Sequence, residues 1–520
     1  MPIVQQGSIN TTALVVPDLY VQIVPPQNLV LNGVPTNIVG VVGTASWGPV
    51  GNPVIIATMA NYAQNFGPVV ARVFDMGTHV ATAVQQGAQN FRCVRVTDNT
   101  DCAAQTTIPG TTVTFTALYT GSLGNQVSLT LSSGSKVNTW RLTISLPGLQ
   151  PEVYDNIGGA GAVFWTTLAN AVNQGQGPQR GPSQLVVANA GGATIAPTPF
   201  SIELGTTTAG SDGAFGVGVS ALVGSDTVPR SGMYALRGQS CGIALLADAA
   251  DPSYWTAQAG FGLDEGIYMI LTGPAGDTLQ NAITVKQQAG LDSYAAKLMF
   301  GDWLWWSDQV NNTIRLVSPQ GFTAGRLANL SPQQSSLNKQ LYSIIGSQKS
   351  GSPGSGQSTS YSSADLAALI SAGIDVISNP QPGGSYWGVR GGHNSSSNAA
   401  IDGDNYTRLT NYIAATLAAG MGQYVGQLIT TDLFSRIRAT QLSFLQNMLG
   451  QGLLGSTDGS LPFSVICDTS NNPSTRTDLG YVQSDAQVQY QAINEKFIVN
   501  IEGGQTVQVS RQTLPSGQPS

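Results

Sequence analysis

Two stretches in the last quarter of the chain repeat apolar residues at helical spacing. In the first, Tyr406, Leu409, Ile413, Leu417 and Met421 recur every three or four positions and make one stripe. The second carries Leu433, Phe434, Ile437, Leu445, Met448 and Leu449, with Gln441 interrupting the stripe. Ahead of them, Ser362 to Gly373 reads as a shorter helix with a polar start and a glycine end. Ile374 to Pro380 alternates apolar and polar and stops at proline, so it predicts a strand, and Gly383 to Gly392 predicts a second strand returning between glycines.

The first half carries shorter periods. Val39 to Ala45 is a buried-type strand that ends in the Gly/Pro-rich loop Ser46 to Pro53. Thr58–Phe66 and Gly77–Asn90 predict helices, and Phe91–Val96 a strand. From about residue 100 the pattern changes to Thr, Ser and Gly with period-two runs at Thr112–Ala117, Gln126–Leu131 and Trp140–Leu146. Ala160–Asn173 is the one predicted helix there, and Gly191–Gly218 reads as an exposed loop. Beyond residue 218 the pattern becomes a short helix at Met233–Gly238, then strands at Ile243–Ala247, Ile267–Leu271 and Ala296–Trp306. Tyr254 and Trp255 sit on a helix or turn, and Thr278–Gln288 is a helix. Strands alternating with helices of this length predict a mostly parallel sheet with right-handed crossovers.

Both ends read as extended. Leu14 to Pro26 is rich in β-formers and punctuated by proline, and such a segment needs a sheet edge to settle on. Phe463–Asp468, Val488–Ile493, Lys496–Glu502 and Thr506–Ser510 predict the last strands. Phe497, Val499 and Ile501 share one face and Ile498 the other. Ser347–Ser360 is a Gly/Ser-rich loop and Gln512–Ser520 a Pro/Gly/Ser tail. The fold class is therefore α/β (α+β mixed) and multidomain. The expected units are an arm at 1–25, a first core part at 26–99 and a β-rich inserted domain at 100–217. An α/β part at 218–361, a core with two long helices at 362–487 and terminal strands at 488–520 complete the chain.

Composition narrows the function. Only 9% of the 520 residues are charged, against a usual share of about 25%. Glycine is high at 62 residues, so much of the surface is neutral and polar, as in subunits of large assemblies and equally in secreted β-rich adhesins. A net charge of −7 with 21 basic residues argues against a nucleic-acid backbone as main partner. No apolar run reaches the roughly 18 residues that span a bilayer. The first basic residue is Arg72, so no leader with a positive start is expected. Cys93, Cys102, Cys241 and Cys467 contain no C-x-x-C pair and are expected to be reduced, structural thiols.

Candidate chemistry is sparse. Gly238-Gln239-Ser240-Cys241-Gly242 satisfies G-x-S-x-G, but the elbow of serine hydrolases needs a strand before the serine and a helix after it, and here the order is reversed. Asp264 or Asp302 with His393 would have to supply the partners, and His393 lies in a loop with no orienting signal. Asp402-Gly403-Asp404-Asn405 starts like a calcium loop and fails at Tyr406, which leaves Asp402 or Asp404 as a helix N-cap. Gly40 to Gly43 lacks the Lys of a phosphate loop. Trp303, Trp305 and Trp306 offer a glycan platform or packing, and packing is favoured. No catalytic, cofactor or metal residues are assigned, and no cofactor is expected.

Several stretches resemble contractile phage tail sheath proteins, the myophage sheath family. The resemblance rests on Gly373-Ile374-Asp375-Val376-Ile377, Trp387-Gly388-Val389-Arg390 and Tyr406-Thr407-Arg408-Leu409, in that order. Asp375 replaces the usual Asn, and Gly391 stands where Thr is usual. Pro17-Asp18-Leu19-Tyr20-Val21-Gln22 is similar to the family's N-terminal strand. Ser46 to Pro49, Tyr119 to Asn125 and Arg315 to Gly325 are similar to further landmarks. The resemblance is weakest over the inserted domain.

It implies a tail-sheath-like core with extended arms. Tyr20, Val21, Ile23, Phe497, Val499 and Ile501 would form inter-subunit strands. Gly373, Ile374, Trp387, Gly388, Arg390 and Arg408 would belong to the conserved core motif. It further implies hexameric rings in a helical stack, an inner tail tube protein, and baseplate and tail terminator proteins as partners. Neither direct nucleic-acid contact nor membrane insertion is expected. Localisation would be the virion tail, after assembly in a host cytoplasm. Another virion or assembly protein, or a β-rich adhesin, is the alternative.

Overall fold

A computed structural model describes residues 3–6, 20–23, 31, 33–352, 354–355 and 359–501. Its centre is a seven-stranded sheet. In spatial order the strands are Ile374–Asp375, Ala296–Met299, Tyr268–Thr272, Ile243–Leu246, Val39–Gly43, Phe91–Arg95 and Pro53–Ile56. All neighbours run parallel except Pro53–Ile56, which is antiparallel to Phe91–Arg95. Helices cover both faces, so the strands are near-continuous apolar runs.

Period two still sorts their side chains. Val39, Val41, Ile243, Leu245, Tyr268 and Ile270 enter one core with the helices Met59–Phe66, Met76–Gln85 and Gln320–Asn329. Val42, Ala244, Leu246, Met269 and Leu271 enter the other. There they meet Trp255 and Phe261 of the helix Trp255–Glu265, Ala282 of Leu279–Ala289 and Leu369 of Ser363–Ser371. Thr58 caps the first helix, and Ser362 with Asp365 makes a capping box on the last.

The helix Gln320–Asn329 was not anticipated from the sequence; eight of its ten residues are buried, polar Gln320 and Thr323 among them. Its Gly321 and Gly325 face Met76–Gln85 at backbone contact. A Cβ on Gly325 would stand 2.5 Å from the Ala83 Cα, and one on Gly321 2.1 Å from the Thr82 Oγ1.

A third core gathers Trp47 and side chains between residues 104 and 204. Two antiparallel sheets build it. One runs Glu152–Ile157, Trp140–Ser145, Ser128–Ser133, Phe200–Glu203, and the other Val186–Asn189, Thr114–Ala117, Gln105–Thr107. The helix Ala162–Gln174 packs on them with Phe164, Trp165 and Leu168. Gly191–Gly218 is therefore not only loop, since Phe200–Glu203 inside it pairs with Ser128–Leu131.

Two expected strands are each divided between sheets. The run from Ala296 leaves the central sheet after Met299 and re-forms as Leu304–Asp308, the middle strand of an antiparallel sheet with Thr313–Val317 and Ile344–Ser347. Ile374–Asp375 closes the central sheet, whereas Ile377–Ser378 pairs with Gly388–Val389. Alternation persists through such a crossing, so the pattern alone does not register it. In the tryptophan cluster Leu304 and Trp306 are buried, and Trp303 and Trp306 donate to the Gly273 carbonyl and the Gln85 side chain. That is packing rather than a platform.

Candidate assembly interface and its anchor

The two long helices, Asp404–Met421 and Thr431–Gly450, form the C-terminal layer. Leu409 and Ile413 of one meet Phe444, Leu445 and Met448 of the other, while Leu433, Phe434 and Ile437 pack around Cys467. Gln441 breaks the stripe to accept a hydrogen bond from the Ser484 hydroxyl at 2.6 Å.

On this layer lies a sheet of only two strands, Phe463–Ile466 antiparallel to Asp485–Val488. Asn472 clamps its connection, donating to the Gln483 carbonyl at 2.8 Å and accepting from the Gln483 amide at 2.6 Å. Two strands alone are marginal in water, and among the described residues no third strand joins either edge. Apolar side chains stand open on and beside it: Ile466 is 44% exposed and Leu461 60%.

Beyond Val488 the chain continues without a ladder. Val488–Ile493 and Lys496–Glu502, expected as strands, form none among the described residues, because a strand exists only where an edge accepts it. Thr506–Ser510 lies outside the described residues. Gln489 donates to the Pro462 carbonyl, the Gln491 carbonyl accepts from Asn405, and the Tyr490 hydroxyl sits 3.1 Å from that of Thr410. The His393 imidazole and the Glu495 carboxylate then meet at 2.9 Å. After that Phe497, Ile498, Val499 and Ile501 are 82%, 79%, 62% and 87% exposed. At the other end Tyr20–Ile23 pairs in parallel with Ile3–Gln6, with Tyr20 opposite Ile3 and Ile23 opposite Gln6.

The motif residues lie where the core turns over. Gly373 takes φ +68 to end its helix, where a Cβ would press on the Lys286 ammonium, and Ile374 is buried at the sheet edge. Gly388 pairs with Ser378, and Trp387 packs on the first core while its carbonyl accepts from the Leu341 amide. Arg408 is buried and donates to the carbonyls of Leu330 and Ser331 at 2.7 and 3.0 Å. It thereby caps the end of the Gln320–Asn329 helix, where positive charge is favoured. Burial pulls its guanidinium down to about 10. Arg390 stays half-buried in a groove shared with Lys339, Glu495 and Phe497.

One cluster was not anticipated from the sequence. Lys297, fully buried, donates to Asp375 at 2.6 Å, to Asp404 at 2.9 Å and to the His393 carbonyl at 2.9 Å. The Tyr268 hydroxyl and the Ser336 amide and hydroxyl also serve Asp404. Asp375 accepts from the amides of Val376, Gly391, Gly392 and His393. Burial works against the Lys297 charge, but Asp375 and Asp404 outweigh it and raise its proton affinity. Burial likewise pushes Asp404 up, yet Lys297 and the hydroxyl donors hold its carboxyl down at about 2.

Asp404 is thus not a cap: the helix N-cap is Gly403, with no side-chain bond. A signal existed. Asp375 and Gly391 are the two departures from the family pattern, and a Cβ at position 391 would sit 2.9 Å from the Asp375 Oδ1.

The remaining motifs find no chemistry. Ser240 precedes the strand Ile243–Leu246, and the two histidines are held elsewhere, His79 by Asp248 at 3.0 Å and His393 as above. The four cysteines are unpaired thiols, and Cys93 and Cys241 are pushed up by burial, Cys241 to about 12. Among the described residues no group of three or more His, Cys, Asp or Glu is placed to hold a metal, and no helix is long and apolar enough to cross a membrane.

No protein-family profile matches the chain, and neither does any curated protein. Solved structures do. The sheath tail protein from Desulfitobacterium hafniense is 15% identical at a TM-score of 0.58, over 85% of this chain and 91% of that one. The sheath tail protein Lin1278 from Listeria innocua is 14% identical at 0.59, over 85% and 90%. The helical sheath of the anti-feeding prophage in its contracted state is 10% identical at 0.56, over 94% and 99%. The chain therefore has the fold of contractile tail sheath proteins.

Proposed function

We propose that the chain is a structural subunit of a contractile tail sheath, polymerising as stacked hexameric rings around an inner tail tube. Contraction drives the tube through a target cell envelope. The supporting observation is the sheath fold over most of the chain, joined to an exposed apolar run that has no strand partner among the described residues. In this reading Tyr20, Val21 and Ile23 of one subunit, and Phe497, Val499 and Ile501 of another, add strands to the open edges of Phe463–Ile466 and Asp485–Val488 in a neighbour. Residues 100–217 form the outward-facing inserted domain. Contraction is a rigid-body reorientation of cores about these joints. At about 25 cal/mol per Å², burying roughly 200 Å² more apolar area per subunit supplies about 5 kcal/mol, so no nucleotide is needed.

The partners are other copies of the chain, the tube protein, and the baseplate and terminator at the two ends. Nucleic acid and membrane are not contacted. The role is non-enzymatic, in a virion tail or related particle assembled in a host cytoplasm. The test is negative-stain electron microscopy of the purified protein, alone and with its tube protein. Cross-striated cylinders with six-fold rings are expected; monodisperse particles under every condition would overturn the reading.

A further inference from the structure

The run from Phe497 leaves the body at a defined point, and the last side chain holding it is Glu495. Its partner, His393, is unusual in how firmly its backbone is placed. The His393 amide donates to Asp375 at 3.2 Å and its carbonyl accepts from Lys297 at 2.9 Å. Both belong to the buried cluster at the edge of the central sheet. The His393 imidazole therefore projects from a loop position whose amide and carbonyl are both hydrogen-bonded to that cluster. One ring nitrogen faces Glu495 at 2.9 Å and the other faces Asp402 at 3.5 Å. The ring is 15% exposed, and Glu495 36%.

We infer that His393 is a clasp that fixes where the C-terminal strand departs, by holding Glu495 to the Lys297–Asp375–Asp404 cluster. A strand launched from a fixed root loses less conformational freedom when it meets a neighbouring sheet than one free from Gln491 onward. The inference rests on the sheath reading only for that consequence; the clasp itself belongs to the single chain.

The charged groups around the ring are two carboxylates, Glu495 and Asp402, with the Lys496 ammonium near Asp402. Lys297 and Asp375 touch the His393 backbone, with Asp404 behind Lys297, and Arg390 and Lys339 line the groove beside Glu495. Burial, with Glu495 adding to it, raises the Asp402 carboxyl. The two ring nitrogens thus face one carboxylate each, and the contact to Glu495 is the shorter.

Lys496 follows Glu495 directly, so trypsin cleavage after Lys496 reads the clasp in the unassembled full-length protein. Rates are normalised to a free peptide of residues 491–501, which removes the protease's own pH dependence. Glu495→Ala and His393→Ala should each speed normalised cleavage roughly three- to tenfold at about pH 6, a range that allows for solvent screening of the pair. His393→Gln, which keeps an amide donor toward Glu495, should recover most of the protection. Thermal unfolding checks that each variant is folded, and Glu495→Ala, on an exposed segment, guards against a misfolded His393→Ala. Unchanged cleavage in Glu495→Ala, or in a folded His393→Ala, would overturn the clasp. Neither result would bear on whether the protein builds cylinders.

Discussion

The central sheet and the C-terminal two-stranded sheet are built from similar short strands and come to opposite ends. The central sheet has seven strands, helices on both faces, and an ion cluster sealing its Ile374 edge. The sheet of Phe463–Ile466 and Asp485–Val488 has two strands, helix on one side only, and exposed apolar residues at its margin. One is covered by its own chain except at the Pro53–Ile56 edge, and the other has no third strand on either edge among the described residues, which is where the proposed function places a neighbour's strands. Stability and assembly should therefore be separable, the first residing in the closed region and the second in the open one.

The largest expected effect is on the open side. Removing residues 1–25, or those from Lys496 onward, should abolish cylinders in electron micrographs while leaving a folded monomer. Its unfolding free energy should stay within about 0.5 kcal/mol of the intact chain. Normal tubes from either truncation would erase the distinction.

On the closed side, Lys297→Met strands Asp375 and Asp404 as buried carboxylates without a counter-charge. A loss of about 3–5 kcal/mol in urea unfolding is expected. Gly325→Ala should cost about 1–3 kcal/mol although alanine favours helix by about 1 kcal/mol, because the new methyl meets backbone atoms of Ala83, which cannot rotate away. Acid should also act on the cluster. The Asp404 carboxyl is depressed to about 2 in the folded chain, so its contribution is present above its ordinary value of 3.8. That contribution is lost as pH falls toward 2, when the folded chain has to take up the proton. A urea series across that range should show the loss, and Lys297→Met should blunt it. The smallest effect belongs to Leu428→Ser, which should move monomer stability by no more than about 0.5 kcal/mol despite replacing a large apolar residue, since Leu428 is already in water.

Much of the architecture was legible. The helical stripes from Tyr406 and Leu433 correspond to Asp404–Met421 and Thr431–Gly450, and Ser362 caps its helix as its polar start suggested. The strands at Val39, Phe91, Ile243 and Ile267 fall within a residue or two of the central-sheet strands and run parallel. The parts that were missed share a cause. Gln320–Asn329 buries polar Gln320 and Thr323 together with its apolar residues, so polarity does not separate its inner from its outer side. Glu152–Ile157 and Val186–Asn189 are held by cross-strand partners rather than by strong alternation of their own. The placement of the arm residues Tyr20, Val21, Ile23, Phe497, Val499 and Ile501 against a neighbour is a matter of a second chain and remains the proposal tested above.

The sequence by itself determined which residues are apolar on which face, and hence the kind of element each segment makes, because periodicity is a local property. Tertiary structure decided which sheet each strand joins and which charges meet. Ala296 to Trp306 reads as one strand and serves two sheets. Asp375 and Asp404 stand 78 and 107 positions from Lys297 along the chain, yet the three share one buried proton network. Local propensity carries no information about that meeting. It exists only once the central sheet places Ala296–Met299 beside Ile374–Asp375 and the Asp404 helix is laid across their ends.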